Sequence, residues 1–137
     1  MELDEARDVL RAQHRAVLAT RRGDGAPQLS PVVVGVDAGG AVTVSTRETA
    51  VKVANLRREP RAWLCVLPDA FFGRWVQVEG EVEIVALPAA HEGLRELYRQ
   101  VSGGEHEDWD EFDAAMRSER RVLLRVHPDR VGPDDQR

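Results

Sequence analysis

Apolar positions recur along the chain with two different periods, and the switches between periods mark out ten elements. Leu3, Ala6, Val9 and Leu10 fall at helical spacing within residues 3–15, with acidic side chains early and arginines late, as a helix dipole favours. Ala16 to Thr20 make a short apolar run closed by Arg21-Arg22-Gly23-Asp24-Gly25, and Asp-Gly between apolar runs predicts a hairpin. Residues 27–37 read as the second strand. Pro31 lies inside it and cannot donate to a ladder, so an edge or a bulge is expected there. After Gly39-Gly40, residues 41–46 alternate as a third strand. Helical spacing returns over 49–58 through Ala50, Val53, Ala54 and Leu56, and Pro60 closes the element. Residues 61–67 and 74–85 predict two further strands. In the longer one, Val76, Val78, Val82 and Ile84 share a face with Gly80 between them, and Trp75, Gln77, Glu79, Glu81 and Glu83 share the other. Helices over 88–101 and 108–118 flank Ser102-Gly103-Gly104. A strand over 121–126 precedes a polar tail from about residue 128.

The resulting order is α-β-β-β-α-β-β-α-α-β. Six strands joined mostly by short turns, with helices inserted singly or as a pair, do not make a doubly wound parallel sheet. They predict a mainly β domain with peripheral helices, built on a six-stranded antiparallel barrel. A length of 137 residues fits a single domain over 1–137.

Composition narrows the function classes. Hydrophobic residues at 42% and charged residues at 31% are the balance of an ordinary globular protein. A single cysteine excludes an intramolecular disulfide, and Cys65, inside the apolar run Trp63-Leu64-Cys65-Val66, reads as core. The acidic start MELDEARDVL and the lack of a long apolar run predict a cytoplasmic protein with no membrane partner. A net charge of −5 argues against nucleic acid but leaves room for a small anionic ligand held by a local cluster.

Most standard constellations are missing. No glycine-rich nucleotide loop opens a helix, and His14, His91, His106 and His127 are scattered. His91-Glu92 lacks the second histidine of a zinc-binding helix, so no metal site is expected. The acidic run Glu105–Glu111 reads as a solvated helix start. One region stands apart. Of 19 basic residues, Lys52 is the only lysine, and lysine offers a compact point charge where arginine offers a wide fork. Ser45-Thr46-Arg47-Glu48 fits a capping box opening the helix that carries Lys52. Two hydroxyls, Arg47, Lys52 and free backbone N–H groups would form a pocket for a phosphate. The same spacing also fits a plain cap with Lys52 on a solvent face.

The stretches VLATRRGDGAPQLSPVVV (17–34), VSTRETAVKVANLRREPRA (44–62), RWVQVEGEVEIV (74–85) and RRVLLRVHPDRV (120–131) resemble the pyridoxamine 5'-phosphate oxidase-like superfamily of split β-barrels, the FMN-binding split barrel. More narrowly, they are similar to its short actinobacterial flavin/deazaflavin oxidoreductases of the B group, which use the deazaflavin coenzyme F420. The resemblance runs from Val9 to about Val131 and implies a cytoplasmic homodimer with two cofactor sites at the subunit interface. Gln28, Leu29, Ser30, Pro31, Val32 and Val33 would run beside the deazaflavin ring. Ser45, Thr46, Val51 and Lys52 match the phosphate and ribityl contacts, with Arg57 further along the helix. Gly73, Arg74 and Trp75, with Phe71 before them, match the segment offered by the second subunit. Ala50 stands where some relatives carry an arginine for the acidic tail of the cofactor, a role open to Arg47; Arg57 and Arg58 add positive charge nearby. The implied activity is hydride transfer from reduced F420 to an electrophilic small-molecule acceptor. An FMN-dependent oxidoreductase of the same fold, or a non-enzymatic binder of cofactor or haem, are the alternatives. No residue reads as a catalytic acid: Tyr98, the only tyrosine, sits in a helical packing pattern. The acceptor pocket is expected in loops 68–73 and 102–108.

Overall fold

The computed structural model describes residues 1–133, and their elements follow the expected order. They are α1 (Leu3–Ala12), β1 (Arg15–Arg21), β2 (Pro27–Val36), β3 (Val42–Arg47), α2 (Val51–Arg58), β4 (Arg61–Leu67), β5 (Val76–Val85), α3 (His91–Ser102), α4 (Trp109–Ser118) and β6 (Arg121–Gly132). The strands close an antiparallel barrel in the order β1-β2-β3-β6-β5-β4. This is the predicted mainly β architecture with peripheral helices. Alternating inward residues such as Leu18, Val34, Val44, Leu64, Val78 and Leu124 fill the barrel, and Leu10 of α1 with Val53 and Leu56 of α2 join the same core. No helix among the described residues is long and apolar enough to cross a membrane.

Helices α2 and α3 start two and three residues later than the periodic reading, and three further differences bear on the architecture. Helix α1 stops at Ala12 and Gln13 is already extended, because Arg15 is taken into the sheet between Val33 and Leu67. Strand β5 starts at Val76, so Arg74 and Trp75 belong to the preceding loop. Strand β6 runs on to Gly132, so residues 128–132 are strand rather than tail; residues 134–137 lie outside the described residues. The extension works through a bulge. Glu79 faces Arg130 but Gly80 faces Pro128, which leaves Asp129 as the extra residue. Gly80 is required there, since a Cβ would overlap the carbonyl oxygen of His127.

The split that matters for function lies between β2 and β3. These strands pair only where Val34–Val36 meet Val42–Val44. Below that point Pro27–Val33 pairs with β1, whereas Ser45–Arg47 pairs with β6. The two strands therefore part, and Pro31 sits on the free edge so created, where its missing N–H costs no ladder bond.

Helices α3 and α4 form the insertion between β5 and β6 and cover this region. Helix α3 comes unusually close to β2 at Gly35, where a Cβ would meet Gln100 Oε1 at 2.6 Å and Leu97 Cδ1 at 2.8 Å. A second small core of Ala90, Leu94, Leu97 and Leu123 fastens α3 to the sheet.

Candidate functional site

A cavity of about 750 Å³ opens at the parting of β2 and β3. Its strand side is built from Arg15, Ala16 and Val17 of β1, Pro31, Val32 and Val33 of β2, Ser45 and Thr46 of β3, and Leu67 of β4. Lys52 reaches it from the first turn of α2 and Arg121 from the start of β6. Opposite them lies an apolar wall from α3 and α4.

The electrostatics are one-sided. Three cations line the cavity and no carboxylate does, in a chain whose net charge is −5. Burial pushes the Lys52 ammonium below its ordinary pKa, and the nearby Arg121 guanidinium pushes it further. Arg121 donates from Nη2 to Glu119 Oε1 at 2.9 Å, which holds the Glu119 carboxyl below its usual range. The Arg121 Nε is buried with no hydrogen-bond partner among the described residues. Two cations held together, one destabilised and one with an orphaned donor, are a site short of an anion.

The hydroxyls reach this site by a different route from the predicted cap. Ser45 and Thr46 remain in β3, paired with Leu123 and Val122, and α2 begins after Ala50 with no side-chain cap. The Ser45–Glu48 capping box is therefore not formed, because strand pairing to Arg121 claims the chain as far as Arg47. The real side-chain cap lies elsewhere: Asp108 accepts from the Glu111 N–H at the start of α4, inside the acidic run.

Of the predicted site residues, Pro31, Val32, Val33, Ser45, Thr46 and Lys52 share the cavity wall. Gln28, Leu29, Ser30, Val51, Arg57, Gly73, Arg74 and Trp75 do not line it. Gln28 accepts from the Thr20 hydroxyl at 3.3 Å, the Ser30 hydroxyl is buried without a partner, and Arg74 lies 3.6 Å from Glu5. Leu29, Val33, Val51, Phe71 and Phe72 leave large apolar side chains in solvent, with Phe72 92% exposed.

The arginines proposed to add charge divide. Arg58 is exposed but tied to the fold, donating to the Arg21 carbonyl at 2.7 Å and to Asn55 Oδ1 at 3.1 Å, while Asn55 donates to Thr20. Arg57 is exposed away from the cavity lining. Arg47 pairs in register with Arg121 and makes a 3.4 Å contact with Glu119, which leaves it beside the cationic end.

Sequence reasoning missed Arg121 and the helical wall. Arg121 lies in a run of arginines with nothing to single it out. The wall residues have ordinary helical spacing, which reads as core. Loops 68–73 and 102–108 supply no cavity-lining residue; only His106 touches the wall indirectly, with its ring 5.0 Å from that of Tyr98. None of the four histidines lines the cavity, and no cluster of potential metal ligands occurs among the described residues. Cys65 does not enter the core as its apolar run predicts: it lies half-buried on the outward face of β4, between the inward Leu64 and Val66, and burial raises its thiol pKa.

Comparison with known proteins agrees with this fold. The sequence profile of the pyridoxamine 5'-phosphate oxidase family matches residues 3–133. The conserved hypothetical protein Rv2991 of Mycobacterium tuberculosis superposes with a TM-score of 0.79 at 26% identity, over 96% of this chain and 82% of that one. A structure described as an F420 reductase superposes at 0.69 with 24% identity, over 91% and 94% of the two chains. A haem-binding protein of Mycobacterium smegmatis shares the fold at 0.62 and 23% identity, over 94% of this chain and 52% of that one.

Proposed function

The chain belongs to the pyridoxamine 5'-phosphate oxidase family, and we propose that it is an oxidoreductase using reduced coenzyme F420 to reduce a small electrophilic acceptor. One observation carries the reading: in the cavity where the barrel splits, Lys52 and Arg121 meet the Ser45 and Thr46 hydroxyls at one end, most of the remaining lining is apolar, and no carboxylate lines it. That is the lining a phosphate-bearing tricyclic cofactor requires. An F420 reductase shares the fold, and the motifs at 17–34, 44–62 and 74–85 support the deazaflavin over FMN.

In this reading Lys52 and Arg121 hold the phosphate, with Ser45 and Thr46 donating to its remaining oxygens. The free edge of β2 at Pro31, Val32 and Val33 supports the ring. Arg47, at the rim, takes the acidic tail in place of the arginine absent at Ala50. F420, when bound and reduced, supplies the hydride; the protein supplies binding, orientation and a water-poor surround. The acceptor gains that hydride and one proton drawn from water.

The protein acts as a homodimer. Support comes from the solvent-facing Leu29, Val33, Val51, Phe71 and Phe72, an unusual amount of apolar surface to leave uncovered. Gly73, Arg74 and Trp75 then serve the partner's site, which accounts for their absence from the cavity of their own chain. Light scattering at micromolar concentration gives twice the chain mass on this reading, and a single chain mass refutes it.

The deciding experiment is a parallel fluorescence titration of the wild type and Lys52→Ala with F420 and with FMN. Loss of a hydrogen bond to a charged group predicts roughly 10- to 150-fold weaker F420 binding by the variant. Unchanged affinity in the variant returns Lys52 to a solvated helix face. Equal or tighter FMN binding transfers the same phosphate site to a flavin.

A further inference from the structure

A second cavity, of about 290 Å³, lies on the other side of α3. The helix stands between the two: it gives Leu94 and Leu97 to the first, and Gly93, Glu96 and Gln100 to the second. Strand β3 divides in the same way. Val42 and Val44 join the barrel core, while Ser45 lines the first cavity and Thr43 the second. The floor is a row across three strands, in which Arg125 of β6 stands in register with Thr43 on one side and with Glu83 on the other. Val85, Ala89 and Leu123 make its apolar part.

The charge is the inverse of that in the first cavity. Asp37, Glu83 and Glu96 line the second one against Arg125 alone. Asp37 is fully engaged: Oδ1 accepts from the Ala41 N–H at 2.9 Å, and Oδ2 accepts from Arg125 Nε at 2.9 Å. Arg125 also donates from Nη1 to Glu83 Oε1 at 2.7 Å, and the His127 ring nitrogen lies 3.4 Å from the same oxygen. Glu83 Oε2 has no partner among the described residues. Glu96 competes with Glu92 and Glu105 for the single guanidinium of Arg99, and it accepts from Gln100 Nε2 at 3.3 Å. Carboxylates therefore outnumber cations around the cavity. Thr43 is only 3% exposed, and its hydroxyl has no hydrogen-bond partner among the described residues. A buried, unpartnered hydroxyl beside surplus carboxylates is a site short of a cationic donor.

We propose that this cavity binds a short aliphatic diamine. Its two ammonium groups divide between Glu83 and Glu96, the Thr43 hydroxyl accepts from one of them, and the methylene chain lies on Val85, Ala89 and Leu123. Three lining carboxylates against one guanidinium leave two negative charges, which a diamine balances. A metal ion does not suit the site, because it needs oxygens converging on one point, and no such cluster of ligands occurs among the described residues. The volume lies just below the roughly 300–1,000 Å³ of pockets for drug-sized ligands, so the chain must be short. The proposal does not depend on what fills the first cavity.

Calorimetric titration of the full chain with 1,4-diaminobutane, 1-aminobutane and 1,4-butanediol tests it. The diamine is expected to bind at a single site per chain, with 1-aminobutane weaker and the diol at least about tenfold weaker. Thr43→Val removes only the hydroxyl and keeps a branched side chain that suits a strand. It should weaken diamine binding at least about tenfold, the loss of a hydrogen bond to a charged group, and yet melt no earlier than the wild type. Glu96→Gln should weaken binding by a similar factor. Glu107→Gln removes an exposed carboxylate away from the cavity and should leave binding unchanged, as should Lys52→Ala. Equal binding of either analogue overturns the proposal. So does a diamine affinity that ignores Thr43→Val or falls as much with Glu107→Gln, since both mark diffuse attraction to an acidic surface. A Thr43→Val variant that melts earlier shows that the hydroxyl is already partnered, which also overturns it.

Discussion

The side-chain amide of Gln100 is bonded to both main-chain groups of Val36: it accepts from the Val36 N–H at 2.8 Å and donates to the Val36 carbonyl at 2.6 Å. A residue of α3 thereby completes the outer side of β2 as another strand would. The contact lies directly above the parting of β2 and β3, next to Gly35, whose lack of a side chain lets α3 approach. It is the chief polar tie between the barrel and the helical wall of the cavity.

Gln100→Leu keeps the bulk of the side chain and strips both partners from Val36. Leaving partly buried main-chain groups unpaired should cost about 1–3 kcal/mol. Urea denaturation should show a lower midpoint at unchanged slope. A midpoint equal to the wild type would mean that water replaces the amide at no cost.

Gly80→Ala tests the bulge. The new methyl group would run into the His127 carbonyl, which is backbone and cannot swing aside, so β5 and β6 must separate locally. Overpacking of this kind costs about 1–3 kcal/mol. Thermal melting of the variant should come earlier than that of the wild type, and amide exchange along Asp129–Gly132 should accelerate before the rest of β6. Equal melting would show that the bulge relaxes freely.

These two sites also show where reading the chain alone falls short. Strands β1, β4 and β5 are legible because one face of each is buried, which imposes a period of two, and β2 and β3 because apolar runs lie between turn signals. The outer end of β6 is not, because His127-Pro128-Asp129-Arg130 is polar and carries a proline. Only the pairing with Gly80 shows that Pro128 sits at the bulge, where its missing N–H is tolerated. Lys52 stood out through its rarity. The spacing of Ser45 and Thr46 predicts a helix cap that does not form, yet both line the cavity from a strand. Leu94, Leu97, Tyr98 and Val101 sit at spacings of three and four, a stripe that serves core and cavity alike. Period tells which face is dry, not what will dry it.

Arg58 and Lys52 should separate cleanly in their effects. The Arg58 guanidinium is tied to the Arg21 carbonyl and to Asn55, not to the cavity. Arg58→Met is expected to lower stability by about 0.5–1.5 kcal/mol, the net worth of an ordinary hydrogen bond. Cofactor affinity in the same variant should stay within twofold of the wild type. A large loss of affinity at unchanged stability would return Arg58 to the anion site.

Lys52→Met should make the ligand-free protein more stable while removing its anion site. The Lys52 pKa is lowered by burial and then by Arg121, so the folded chain gives up this proton at a lower pH than the unfolded chain does. Between those two values the unfolded state binds more protons, and stability rises with pH. Below them the charged lysine is a standing cost to the fold, which methionine removes. The wild type should therefore gain stability as pH climbs toward the ordinary lysine range, and the methionine variant should lack that gain. Binding runs the opposite way. A phosphate favours the ammonium form, so cofactor affinity in the wild type should fall as pH rises through the lowered pKa, with proton uptake on binding. Calorimetric titration in buffers of different ionisation enthalpy measures that uptake directly, and thermal melts across the same pH series measure the stability. If Lys52→Met melts below the wild type at neutral pH, Lys52 has a partner in the folded protein, and the cavity is not short of an anion.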